Sequence, residues 1–204
     1  MEYPKFYDEV EKFILKDELS QFLGATKEGI VEIGYIDCVK LAGHSCPTIA
    51  SSYIAAKVVV DYFYKGEIPL RSQIKIEFKE ECDSGVTGVI GNTLGFILGC
   101  SDKCGFSGIG GKFNRKDLIS YGNSSLNSMI RFSKLDGSAF LEINIDTSVV
   151  KPDAKMKTLL QKALQNVASK EELEEFERLW QDRVKNMLLN KDIWNKIIKI
   201  VNKG

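Results

Sequence analysis

From Pro47 to Tyr64 nearly every position is apolar or small: Ile49, Ala50, Tyr53, Ile54, Ala55, Ala56, Val58, Val59, Val60 and Phe63 carry the run. A helix of this composition has no polar face to give to water, so it has to be buried on most sides. Pro47 suits the first helical position, where a missing N–H costs nothing. The run is shorter than the roughly 20 apolar residues that cross a bilayer. The rest of the chain must therefore supply layers that cover this helix.

Several segments offer themselves. Ile30 to Ile36 alternates Ile30, Glu32 and Gly34 with Val31, Ile33 and Tyr35, and Gln73 to Phe78 alternates Ile74, Ile76 and Phe78 with Lys75 and Glu77. Both read as strands. Residues 128–134 and 138–146 flank Asp136-Gly137 and read as a β-hairpin. Phe6 to Leu23 puts Val10, Phe13, Ile14, Leu19, Phe22 and Leu23 on a rough helical stripe, which predicts an amphipathic helix stopped at Gly24. Ser84 to Gly95 is rich in small residues. Glycine is costly inside a helix, so its recurrence predicts close backbone approach or a site built from main chain.

Beyond Val150 the composition shifts. Met156, Leu159, Leu160, Ala163, Leu164 and Val167 recur at helical spacing, and Ser169 with Glu172 forms a capping box before Leu173, Phe176, Leu179, Trp180 and Val184. Trp194, Ile197, Ile198 and Val201 read as one more helical face. The expected class is α+β with a mixed sheet and packed helices over residues 1–150, followed by a helical C-terminal extension over 151–204 that packs on the domain or on a second copy of the chain.

Lys and Arg number 28 and Asp and Glu number 28, so no net field favours nucleic acid or an anionic membrane surface. Met1-Glu2-Tyr3-Pro4-Lys5 lacks the charged-then-apolar order of a secretion signal, which places the expected compartment in the cytoplasm. Five cysteines, Cys38, Cys46, Cys82, Cys100 and Cys104, cannot all pair, and a reducing compartment favours ligand or redox roles for them.

The chemistry centres on Gly43-His44-Ser45-Cys46-Pro47-Thr48. His44 is the only histidine, two residues from Cys46, and an imidazole and a thiol that close make a chelating pair for zinc. Cys46 falls at the N-cap, where the helix dipole favours a thiolate. Ser101 to Gly111, with Cys104 and glycines 105, 108, 110 and 111, reads as an ordered functional loop. It is a poor phosphate cradle, because Gly111-Lys112 is followed by Phe113 rather than Ser or Thr.

The hexapeptide, followed by Tyr53, Ala55 and Ala56, resembles the glycine-histidine-x-cysteine-proline signature of the FmdE family, which takes its name from a component of formylmethanofuran dehydrogenase. Thr87 to Gly95 is similar to that family's second motif, a glycine-cysteine-threonine-aromatic-glycine run, and the likeness covers roughly residues 35–146. Ala42 stands where the family often has another histidine, and Asn92 where the second motif has its cysteine. No C-terminal zinc ribbon is present, as in a stand-alone bacterial branch. The resemblance implies a mixed sheet like that of the glyceraldehyde-3-phosphate dehydrogenase catalytic domain, a dimer, and a transition metal near the signature.

The leading expectation is a metal-binding protein with His44 and Cys46 as ligands and Cys82, Cys100 or Cys104 completing the set. Zinc suits mixed nitrogen and sulfur donors, with nickel, copper and iron as alternatives. An open coordination position would admit a small-molecule ligand, with Asp37 or Asp83 as acid or base. The bland readings are that Cys82, Cys100 and Cys104 simply pack and that Asp37 and Asp83 cap turns. Two other classes compete. One is a thiol enzyme with Cys46 as nucleophile or redox thiol, His44 as base and Cys100 or Cys104 as resolving thiol; the other is an accessory or scaffold protein to a metalloenzyme, whose C-terminal helices bind a partner. A homodimer is the expected assembly.

Overall fold

The computed structural model describes residues 2–204. Its main sheet has five strands: β3 (Ile74–Phe78), β4 (Ile119–Ser120), β5 (Ile130–Lys134), β6 (Phe140–Ile145) and β7 (Ile198–Lys203), in the order β4-β3-β5-β6-β7. β4 runs parallel to β3 and every other pairing is antiparallel, which makes the sheet mixed. Register explains its two faces. Ile76 lies opposite Phe132 and Phe132 opposite Leu141, all buried, so one face is a continuous apolar surface. One position along, Glu77, Arg131 and Glu142 line up on the polar face, where Arg131 and Glu142 approach to 3.5 Å.

Helix α3 (Pro47–Tyr64) is buried on most sides, as its composition predicts, and it contacts β6, β7, α4 (Thr87–Leu98) and α6 (Lys170–Leu189). Helix α2 (Tyr35–Ala42) precedes it. α4 comes close to its neighbours through glycine. A Cβ on Gly95 would stand 2.5 Å from the Cys100 carbonyl oxygen and 2.9 Å from Ile119 Cδ1, and one on Gly91 would collide with the Tyr121 hydroxyl. The small-residue run is thus a packing face, as expected for Gly inside a helix.

Two stretches fold differently from their sequence pattern. The helical stripe over 6–23 is divided into a 3-10 turn at Lys5–Glu9, strand β1 (Phe13–Lys16) and a short helix α1 (Glu18–Phe22). Phe13 and Leu15 are buried at strand spacing, β1 pairs with β2 (Ile30–Ile33), and the Asp17 side chain accepts the Ser20 amide and starts a new helix. The strand beginning at Ile30 also stops early, at Ile33. Gly34 is an N-cap whose amide donates to Asp37 Oδ2 at 2.9 Å, and α2 follows.

The C-terminal third is neither wholly helical nor apart from the domain. α5 (Met156–Leu164) and α6 form as expected, with Ser169 and Glu172 in a capping box. After the single turn α7 (Trp194–Ile197), however, the chain becomes β7 and pairs with β6. Val184, Met187, Leu188, Ile197 and Ile198 belong to the same buried cluster as Ile49, Ile54 and Ile76. Residues 151–204 therefore complete the core and the sheet. Among the described residues no helix is long and apolar enough to cross a membrane.

Candidate functional site

The His44 turn is a tight link between two helices. Gly43 ends α2 in a left-handed conformation (φ 74°), Cys46 is the N-cap of α3 in extended backbone, and Pro47 begins the helix. The turn is held from behind. The Ser45 hydroxyl meets the Tyr35 hydroxyl at 2.9 Å, and Trp180 Nε1 donates to the Ser45 carbonyl at 2.8 Å.

His44 is exposed, and its Nδ1 lies 3.0 Å from the Ala42 carbonyl. A carbonyl oxygen only accepts, so Nδ1 carries a proton in this contact and Nε2 of the neutral ring is left with its lone pair. That arrangement orients an imidazole for use as a ligand or base.

His44 opens onto a cavity of about 610 Å³. α4 contributes Asn92, Thr93 and Phe96, the following loop contributes Cys100, Ser101, Asp102 and Cys104, and Arg71, Arg115 and Tyr121 complete the polar wall. Leu41, Val89 and Ile119 make it partly apolar. Site and fold thus meet along α4, which lines the cavity from Val89 to Phe96.

The cysteines are divided by this geometry, and all five are free. Cys104 is exposed on the cavity wall, its amide held by Asp102 Oδ1 at 2.8 Å. Cys100 also lines the cavity, but its thiol is buried and donates to the Ile74 carbonyl at 3.0 Å. Burial pushes that thiol up to about 12, so it stays protonated. Cys46 belongs to the buried core and does not line the cavity. Cys82 is exposed on the turn before α4, beside Gly88 and off the cavity. Cys38 is buried, and its thiol is likewise raised to about 12 by burial.

The expected ligand set of His44, Cys46, Cys82, Cys100 and Cys104 is accordingly not gathered at one point. Among the described residues, no three His, Cys, Asp or Glu side chains form a group able to hold a metal ion. The donor types on the cavity suit zinc, yet a closed structural centre of three or four protein ligands is not built. Asp37 and Asp83 are off the cavity too. Asp37 caps α2 and pairs with Lys40 at 3.4 Å, and Asp83 is exposed on the turn before α4.

A charged assembly absent from the motif reading stands beside the cavity. Asp17 is buried, and Arg71 Nη1 donates to its Oδ2 at 2.8 Å while Arg115 Nη2 donates to Oδ1 at 2.8 Å and Oδ2 at 2.6 Å. Burial opposes the Asp17 charge, but the Ser20 amide and the two guanidiniums outweigh it and hold the carboxyl below its ordinary range. Both arginines also line a smaller cavity of about 140 Å³ that includes Asp17, so they stand between the two spaces. Partners 54 and 98 positions apart in sequence leave no local pattern to read. No family model matches the chain, and no curated protein matches it either.

Proposed function

We propose that the cavity at the His44 turn is the working site of an FmdE-like protein and that it takes up a transition-metal ion, zinc by donor chemistry, on His44 Nε2 and the Cys104 thiol. The observation that supports this most is the Ala42 carbonyl against Nδ1, which leaves Nε2 as the lone-pair nitrogen of a ring that lines the same cavity as an exposed thiol. Two protein donors leave positions for water or a bound ligand, the condition for Lewis-acid chemistry rather than for a closed structural centre. The motif resemblance over residues 43–48 supports His44, while its cysteine, Cys46, lies in the core and off the cavity.

Metal analysis of the untagged chain, followed by Co²⁺ titration read from its thiolate absorption, tests the reading. Wild-type protein is expected to bind one ion, His44→Ala and Cys104→Ser to lose it, and Cys82→Ser to keep it. A wild-type chain without metal uptake, or uptake untouched by His44→Ala, overturns it.

A further inference from the structure

Two arginines share one carboxylate beside the cavity, and they are not equally engaged. Arg71 uses every nitrogen: Nη1 on Asp17 at 2.8 Å, Nε on the Ile97 carbonyl at 3.1 Å and Nη2 on the Phe96 carbonyl at 2.5 Å. It is a structural clamp on the C-terminal end of α4. Arg115 directs only Nη2 at Asp17, and its Nε and Nη1 make no hydrogen bond to the described residues. Its side chain is 23 % exposed and lines the larger cavity. Asp17 is shared between the two cations, and Arg115 keeps its Nε and Nη1 donors unused at this wall.

From this geometry we infer that the cavity binds a small organic carboxylate, held by Arg115 with its body against the apolar wall. Both two-nitrogen edges of the Arg115 guanidinium include Nη2, which Asp17 holds, so a carboxylate oxygen is met by a single charge-assisted N–H from Nη1 or Nε. Leu41, Val89, Phe96 and Ile119 offer apolar surface for the rest of the molecule, while Asn92 and Ser101 supply further polar contacts. Asp102 shares the lining and repels a second negative charge, which favours a monoanion over a phosphate ester that is close to dianionic at neutral pH. This inference rests on Arg115 and does not require the metal.

Titration of the full chain with benzoate, acetate and inorganic phosphate in the presence of EDTA tests it. Benzoate is expected to saturate one site. Acetate, which leaves the apolar wall uncovered, is expected to bind roughly tenfold more weakly, and phosphate more weakly than benzoate. Arg115→Gln is expected to weaken benzoate by about tenfold or more, the scale of a lost charge-assisted pair. Cys82→Ser, off the cavity, is expected to leave it unchanged, and the EDTA lets the carboxylate and metal readings fail separately. In the wild-type chain the Arg115 Nε–H resonance is expected to shift on titration, a readout that holds even where Arg115→Gln does not fold. Absent benzoate binding, a static Arg115 resonance, or tighter binding of phosphate overturns the proposal.

Discussion

The indole of Trp180 in α6 donates its Nε1–H to the backbone carbonyl of Ser45 at 2.8 Å. That bond fastens the C-terminal helix to the residue next to His44, while Tyr7 donates its hydroxyl to Gln181 at 3.2 Å one residue further along the helix. Trp180→Phe keeps an aromatic ring and deletes the donor. It is expected to cost about 1 kcal/mol in denaturant unfolding, the net worth of one such bond, and to shift the His44 imidazole resonances. Unmoved His44 signals would mean that the turn is held without α6.

Asp17 gives the molecule an acid limb. Its folded carboxyl sits below the reference value of 3.8, so its contribution is complete above that value and is lost as pH falls through the depressed folded value. Asp17→Asn leaves two half-buried guanidiniums short of a buried counter-charge and is expected to cost about 3 kcal/mol near neutral pH. The gap between variant and wild type should close as pH drops below about 4 in urea unfolding.

Thiol accessibility is expected to divide the cysteines. Cys82 and Cys104 are exposed, whereas Cys38, Cys46 and Cys100 are buried. A thiol reagent should label Cys82 and Cys104 rapidly in the native protein and reach Cys38 and Cys100, raised to about 12 by burial, only on unfolding. Mass mapping of labelled peptides over time checks the order.

Gly95→Ala would normally strengthen a helix by about 1 kcal/mol. Here the added methyl meets the Cys100 carbonyl, a backbone atom that cannot swing aside. A net loss of about 1–3 kcal/mol is expected, measured as a lowered unfolding midpoint, and the cavity wall at Cys100 should shift with it.

Deleting residues 152–204 is expected to abolish cooperative unfolding rather than release a stable domain. The deletion removes β7 from the sheet along with Val184, Met187 and Leu188, each no more than 2 % exposed in the core. Size-exclusion and circular dichroism of the truncated chain give the answer.

The fold is readable in the sequence wherever one local pattern decides the outcome. The apolar run at Pro47, the alternation at Ile74 and the Asp136-Gly137 turn each become the element their periodicity demands. Pattern misleads where tertiary partners override it. Val10, Phe13, Leu19 and Phe22 fit a helical stripe, but Phe13 and Leu15 are claimed by pairing with β2. Ile198 to Val201 could continue a helix, yet β6 offers an open edge and wins them.

The site is readable in part for a similar reason. Residue type singles out His44, Cys100 and Cys104, and these do share a cavity. Proximity to His44 in sequence singles out Cys46, but its place in the core takes it away from that wall. Arg71 and Arg115 give no signal, because what joins them is a buried aspartate far away along the chain.

The pairing of β6 with β7 spans α5 and α6, so the last ladder of the sheet closes only after both helices have been synthesised. Until then the rim of β6, with Leu141 and Ile143 behind it, stays an unmet template to which another unfinished chain can add. Crowded synthesis of this protein is therefore most exposed to misassembly just before its final strand arrives.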